Sequence, residues 1–324
     1  MKPLLLIAWT AFLSIIIAPA QAQTRVFPAH PVRIIVATSA GSGADVMSRL
    51  LGQKLSELWG QPVVIENQSG ASGNIGANMV ARAASDGHVM LMATVNHTIN
   101  KALTPNLSYD VQTSFKPVAH IVGLPLVIVA NPAFPANTIP EMIALVKARP
   151  ADNPIFFASA GTGSLLAFTF ELLQISESFK MKQAPYAGTA QMTTDIIGNQ
   201  VPLGALAVAT VAQHIKSGRL KALAVTTAKR SSSLPNVPSV AEQGIKGFDV
   251  QSWVGLLAPA ATPDATVAQI YADIATVANT SGFIEQMQGQ GMELDLKNPA
   301  QFKIYIAAEV SKWTTVVKEA GIKP

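Results

Sequence analysis

Hydrophobic and polar positions along this chain switch between two periods, and the switches mark its elements. Ile34-Ile35-Val36-Ala37 is an unbroken apolar run of the kind a buried strand makes. From Asp45 onward Val46, Met47, Leu50, Leu51, Leu55 and Leu58 recur at helical spacing. Between the two patterns lie Ser39, Ala40, Gly41, Ser42 and Gly43, small enough to let another molecule approach the backbone. A strand that ends in such a turn and feeds a helix aims unpaired N–H groups and the positive end of the helix dipole at one point, which favours an anion. Ile155 to Ala160 followed by Gly161-Thr162-Gly163-Ser164 and a helix through Glu171 repeats the design. Two such turns predict two walls facing across a cleft. Either turn alone is equally well read as an ordinary strand-to-helix connection.

The rest of the pattern alternates strand and helix. Pro62 to Glu66 reads as a second strand, followed by a polar, glycine-rich loop to Gly73 and a helix through Ala77, Val80, Ala81 and Ala84. Val89 to Ala93 is the third strand, and Thr94-Val95-Asn96-His97 is a natural place for a further ligand-facing loop. This order argues for a parallel sheet with helices on both faces and ligands outside the carboxyl ends of its strands. Phe115 to Asn131 reads as two extended segments around Gly123 and Pro125, the crossover into a second domain. Thr138-Ile139-Pro140-Glu141 is a capping box with an early proline. Lys182 to Tyr186 is extended, Thr189 to Ile197 is a short helix carrying Asp195, and Val201 to Val208 and Leu220 to Val225 are strands around a helix near Val211. After Gly247 a strand from Val250 to Leu257 returns to the first domain, and three helical patterns close the chain. The last has Asn298 as N-cap, Pro299 in its first turn and Gly321 as terminator.

The first residues read as an address rather than as fold. Lys2, the apolar run Leu4 to Ala18 and the small-x-small site Ala20-Gln21-Ala22 predict an export signal cleaved after Ala22. Removing 22 of the 324 residues leaves 302, about two domains' worth. No cysteine is present, which suits an oxidising compartment and excludes an N-terminal lipid anchor on that residue. Charged residues make up only 13% of the chain, and its net charge is +4 with scattered basic residues. Nucleic acid is therefore not expected as a partner.

Chemistry of its own is not indicated. There is no G-x-S-x-G elbow and no S-x-x-K, and neither glycine turn has a nucleotide-binding spacing. The five histidines show no metal-ligand spacing, so neither a metal nor a cofactor is expected. His97 reads first as a surface or capping residue, Asp45 as the cap of its helix, Asp195 as a helix-surface carboxylate, and Trp253 and Trp313 as core.

Several short motifs then match one family in order and spacing: Pro31 to Val36, the glycine loop ending in Asp45, Glu66-Asn67 with Gly70 to Gly76, and Asp86-Gly87. Ser159-Ala160-Gly161-Thr162-Gly163-Ser164, Pro185-Tyr186-x-Gly188 and Arg230 with Leu234 to Glu242 continue the match. The chain resembles the Bug-type periplasmic solute receptors of tripartite tricarboxylate transporters over almost its whole mature length. The resemblance implies an α/β, two-domain periplasmic binding protein-like fold of type II, with the ligand cleft between domains. The expected division is 23–122 plus 245–324 for one domain and 123–244 for the other. It also implies a monomer that holds a small carboxylate and meets the subunits of a membrane transporter or the outer domain of a sensor kinase. The expected ligand-binding residues are Ser39, Ala40, Gly41, Ser42, Gly43, Asp45, Thr94, Asn96, Ser159, Ala160, Gly161, Thr162, Ser164, Tyr186 and Asp195. Ala167 and Ala187 stand where such receptors often carry His and Lys, so ligand identity does not carry over.

Overall fold

The computed structural model describes residues 27–104, 106–150, 152–161, 163–186 and 188–322. The signal segment, Thr162 and Ala187 lie outside them.

The first half opens with β1 (Val32–Val36), α1 (Gly43–Trp59) and β2 (Val63–Asn67). After a 3₁₀ turn come α2 (Asn74–Ala81), β3 (Val89–Thr94) and α3 (Val95–Leu103). β1 pairs in parallel with both β2 and β3, as the strand–helix alternation predicts. Residues 94–97, expected as a loop, are instead the start of α3 with Thr94 at its N-cap.

The larger difference concerns Phe115 to Ala130. These residues form one strand, β4, that continues through Gly123 and Pro125. Its first part pairs antiparallel with β9 (Gln251–Pro259), and its last five residues pair with β7 (Leu203–Ala207). Proline was expected to break the run, because it has no N–H to give a ladder. Here the ladder runs on in register from Val122 to Pro125, which lies opposite Gln251, and its register shifts fall earlier, between Pro117 and Val122.

The second half contains α4 (Ile139–Lys147), β5 (Phe156–Ser159), α5 (Leu165–Glu177), β6 (Lys182–Pro185), α6 (Thr189–Ile197), β7, α7 (Val208–Lys216) and β8 (Lys221–Val225). β9 then joins the first half, pairing antiparallel with β3 as well as with β4. α8 (Asp264–Ala278), α9 (Ser281–Gly289), β10 (Glu293–Lys297) and α10 (Pro299–Glu319) complete the chain. The strand order β2-β1-β3-β9-β4-β7-β5-β6 makes one curled, mixed sheet, with β8 and β10 attached to β4. Parallel pairing holds at the two ends of the sheet, β2-β1-β3 and β7-β5-β6, and antiparallel pairs join them at its centre.

Two apolar clusters belong to one half each, and a third runs through both. α10 carries this shared core. Its capping box is formed, with Asn298 and Gln301 exchanging bonds of 2.9 and 3.1 Å. Trp313 stacks on Phe168 of α5 at 5.6 Å between ring centroids. Trp253 and Trp313 are both fully buried and both donate indole N–H groups to Glu309, at 3.3 and 3.0 Å. A buried carboxylate thus satisfies two aromatic donors that apolar packing would leave unpaired. Among the described residues no helix is long and apolar enough to cross a membrane.

Candidate functional site

The turn after β1 is held by bonds to its own residues. Ser42, not Asp45, caps α1. Its Oγ accepts from the Asp45 N–H at 3.3 Å and lies 2.6 Å from Thr38 Oγ1. Asp45 is the third residue of the helix, within its first turn, and buried. Its carboxylate accepts from the Gly41 N–H at 2.9 Å, Asn67 Nδ2 at 2.9 Å and Arg49 Nε at 3.1 Å. Burial raises its pKa, but Arg49, the Gly41 amide and Asn67 together hold the carboxyl below its ordinary value. Gly41, at φ +79°, therefore turns its N–H inward rather than toward the cleft. The amides of Gly43 and Ala44, in the first turn of α1, find no acceptor among the described residues. The anion-favouring end of the motif lies two residues later than the glycine loop alone suggests.

These two residues line a cavity of about 150 Å³ together with Thr38, Ser42, Thr94, Asn96, Leu124, Ser252 and Val254. No charged side chain contributes to it. Thr94 is 7% exposed, and its hydroxyl has no hydrogen-bond partner. The hydroxyl lies over the first turn of α3, but no well-aligned bond to a helix N–H forms there. The cap is made from the other side: the Thr94 N–H donates to His97 Nδ1 at 3.1 Å. His97 is thus a capping residue, though a buried one. Burial pushes its pKa down to about 4, with the Thr94 backbone bond opposing, so the ring is neutral near pH 7. Nδ1 also lies 3.1 Å from the Thr94 carbonyl, so it accepts from the Thr94 N–H or donates to that carbonyl according to the tautomer, while Nε2 faces Gly73 with no hydrogen-bond partner among the described residues. A Cβ at Gly73 would come 3.2 Å from the Ala37 carbonyl, and φ there is +92°, so the close approach of the two loops calls for glycine.

The second turn also spends its side chains internally. Ser159 is fully buried and its Oγ accepts from Gln183 Nε2 at 2.5 Å. Ser164 caps α5, accepting from the Ala167 N–H at 3.2 Å and donating to the Gly161 carbonyl at 2.7 Å. Ala160 is exposed, and Gly161 has φ +97° with open space where a Cβ would stand. Gly163 lies close to Leu103 at the end of α3, which brings this turn beside the first half. Tyr186 and Asp195 meet one another, and burial, followed by that carboxylate, raises the phenol's pKa.

Of the fifteen residues expected from the sequence, Ser42, Gly43, Thr94 and Asn96 share the cavity. Ser39, Ala40 and Gly41 form an exposed rim outside it. Asp45 is locked inside the turn, Thr162 lies outside the described residues, and Ser159, Ala160, Gly161, Ser164, Tyr186 and Asp195 lie on the second half, off the cavity wall. Sequence reading misses five lining residues: Thr38 and Ala44 beside the turn, Val254, and, as a facing pair, Leu124 and Ser252. The last two are directly opposed in the β4–β9 ladder, where the chain crosses between halves, and only strand pairing brings them together. A larger cavity of about 470 Å³ opens around Gly123 and Gln251, the chain neighbours of Leu124 and Ser252, and contains none of the expected residues.

Two α/β halves joined by crossing strands carry a glycine turn and a helix N-terminus at a cavity beside the crossing, an arrangement suited to holding a small solute. Comparison with known proteins agrees. Residues 47–322 match the family model described as tripartite tricarboxylate transporter family receptor. The chain belongs to this family. It is 33% identical over 310 residues to protein BugT of Bordetella pertussis, covering 95% of this chain and 94% of that one. Among solved structures it is similar to MatC of Rhodopseudomonas palustris with bound malate, at 28% identity and a TM-score of 0.71, over 90% of this chain and 100% of that one. It is also similar to R. palustris Rpa4515 with adipate, at 29% identity and a TM-score of 0.75, over 92% of this chain and 99% of that one.

Proposed function

We propose that this protein is an exported periplasmic receptor that seats a carboxylate end of a small solute at the N-terminus of α1 and delivers that solute to a tripartite tricarboxylate-type membrane transporter. It performs no chemistry on the solute. The moving units are 23–122 with 245–324 and 123–244, and the solute lies between them. The observation that carries this reading is the Thr94 hydroxyl: buried, without a partner, and in one cavity with the unpaired Gly43 and Ala44 amides. A buried hydroxyl left unpaired costs free energy that a ligand oxygen recovers. Malate and adipate, held by two relatives, are both small carboxylates. Because no cation lines the cavity, the seat suits one carboxylate, with any second one outside it.

Calorimetry and thermal unfolding with monocarboxylates, malate, adipate and citrate test the proposal. A solute at about 100 times its Kd should stabilise the fold by about 2.7 kcal/mol through mass action. Thr94→Val keeps the shape and removes one hydrogen bond to a charged group, about 1.5–3 kcal/mol, so the binding carboxylate should lose at least about tenfold in affinity. Equal affinity in Thr94→Val, or no stabilisation by any carboxylate while sugars stabilise, would refute the seat.

A further inference from the structure

The segment between α9 and β10 touches the second half in two places and the proposed solute seat in a third. Gly291 has φ +69°, and a Cβ there would come 2.2 Å from Ala209 Cβ and 3.0 Å from its Cα, at the start of α7. Met292 is buried, and its Cε lies 3.9 Å from where a Cβ on Gly43 would stand. Glu293 follows. One of its carboxylate oxygens accepts from Ser231 Oγ at 2.7 Å, the Ser232 N–H at 2.8 Å and Ser232 Oγ at 3.0 Å. The serines belong to the loop after β8. Glu293 itself is the first residue of β10, opposite Gly123 in the ladder, where β4 passes from one half to the other.

A loop that merely needed capping would find an acceptor nearby in sequence, as loops commonly do. This loop takes its acceptor from a residue 62 positions away, on a strand of the other half. Three donors on one ionised oxygen make a charge-assisted contact stronger than neutral ones. The neighbouring glycine lets the same segment lie flat against α7. We propose that Glu293 is a positioning residue for solute capture: it latches the strap 289–293, which packs on the seat, to the second half, and so holds the two halves in the arrangement described here. Its contribution to affinity rests on the receptor reading above; its effect on the relative position of the halves does not.

The chain has no cysteine, so single cysteines introduced at Gln53 in α1 and Lys182 in β6, both exposed, place one spin label on each half. Distances between them are measured without solute by double electron–electron resonance in the unsubstituted background, Glu293→Ala and Glu293→Gln. Ala209→Val, which pushes on the strap from the opposite side, keeps the test open if Glu293→Ala fails to fold. The expected result is about a tenfold shift from the original distance population toward a second one in Glu293→Ala. Glu293→Gln, which keeps one acceptor oxygen, should be intermediate, and Ala209→Val should move in the same direction as Glu293→Ala. Calorimetry with malate or adipate, whichever binds the unsubstituted chain, should show a matching loss of affinity. Superimposable distance distributions in all variants, even with lowered unfolding stability, would overturn the latch. A shift in distance in a chain that binds no carboxylate would keep the latch and remove the receptor reading instead.

Discussion

Replacing Asp45 separates a residue that builds the solute turn from one that touches the solute. Asp45→Ala removes the acceptor for the Gly41 N–H, Asn67 Nδ2 and the Arg49 guanidinium together. The three losses are unequal. The Arg49 side chain is 53% exposed, so water replaces that partner at little cost. Gly41 is also exposed, whereas Asn67 is half-buried and bridges the turn to β2, its amide also reaching the Thr38 carbonyl at 3.2 Å. Hydrogen bonds to a charged group contribute about 1.5–3 kcal/mol each, and solvent access at two of the three lowers the sum. The expected loss of unfolding stability is about 2 kcal/mol for Asp45→Ala and about 1 kcal/mol for Asp45→Asn, which keeps one acceptor oxygen. Urea unfolding reads this directly. A loosened turn also holds the Gly43 and Ala44 amides less firmly, so affinity for the bound carboxylate should weaken about tenfold in Asp45→Ala and less in Asp45→Asn. The decisive feature is that stability and affinity fall together. Unchanged stability with binding abolished in Asp45→Asn would refute this reasoning and place the carboxylate against the solute.

Two further outcomes follow from buried polar groups. His97 and His120 are both buried with pKa values pushed down to about 4, for His120 by burial first and then by Lys297, against an unfolded value near 6.5. The unfolded chain then binds more protons between those values, so unfolding stability should be flat above about pH 6.5 in these two groups and fall as pH drops toward 4. His97→Gln, which keeps a capping side chain at the third position of α3, should flatten part of that slope in urea titrations across pH; an unchanged slope would refute it. Glu309→Leu leaves the Trp253 and Trp313 indole N–H groups without their acceptor in the core shared by both halves, and should cost about 3 kcal/mol in unfolding stability. Glu309→Gln, which can still accept from one indole, should cost less, and equal effects of the two would count against the bond.

Much of this protein is written in local pattern. The helix at Pro299 was legible because a capping box, a proline and a terminal glycine all act within one turn of the chain, and the two strand–glycine–helix turns were legible for the same reason. Thr94 and Asn96 could be placed beside the cavity because the open positions at the ends of parallel strands follow from topology. What lay beyond reach depends on residues distant in sequence. The continuity of β4 through Pro125 is set by its partners β7 and β9, which local propensity does not contain. Asp45 reads as a cap until Ser42 takes that place and Asn67, 22 residues away, claims its carboxylate. Gly41 reads as an anion donor until the same carboxylate takes its N–H. β10 alternates polar and apolar residues from Glu293 to Lys297, a strand pattern that the reading of three closing helices passes over, but only its pairing with β4 brings Glu293 to Ser231 and Ser232. Leu124 and Ser252 become neighbours only through the β4–β9 ladder. The sequence by itself determined where helices start and where backbone amides are left over, since those follow from spacing within a few residues. Which of those amides a carboxylate of the chain consumes, and which stay open to a solute, was decided only by tertiary structure, because it is set by contacts that close long loops.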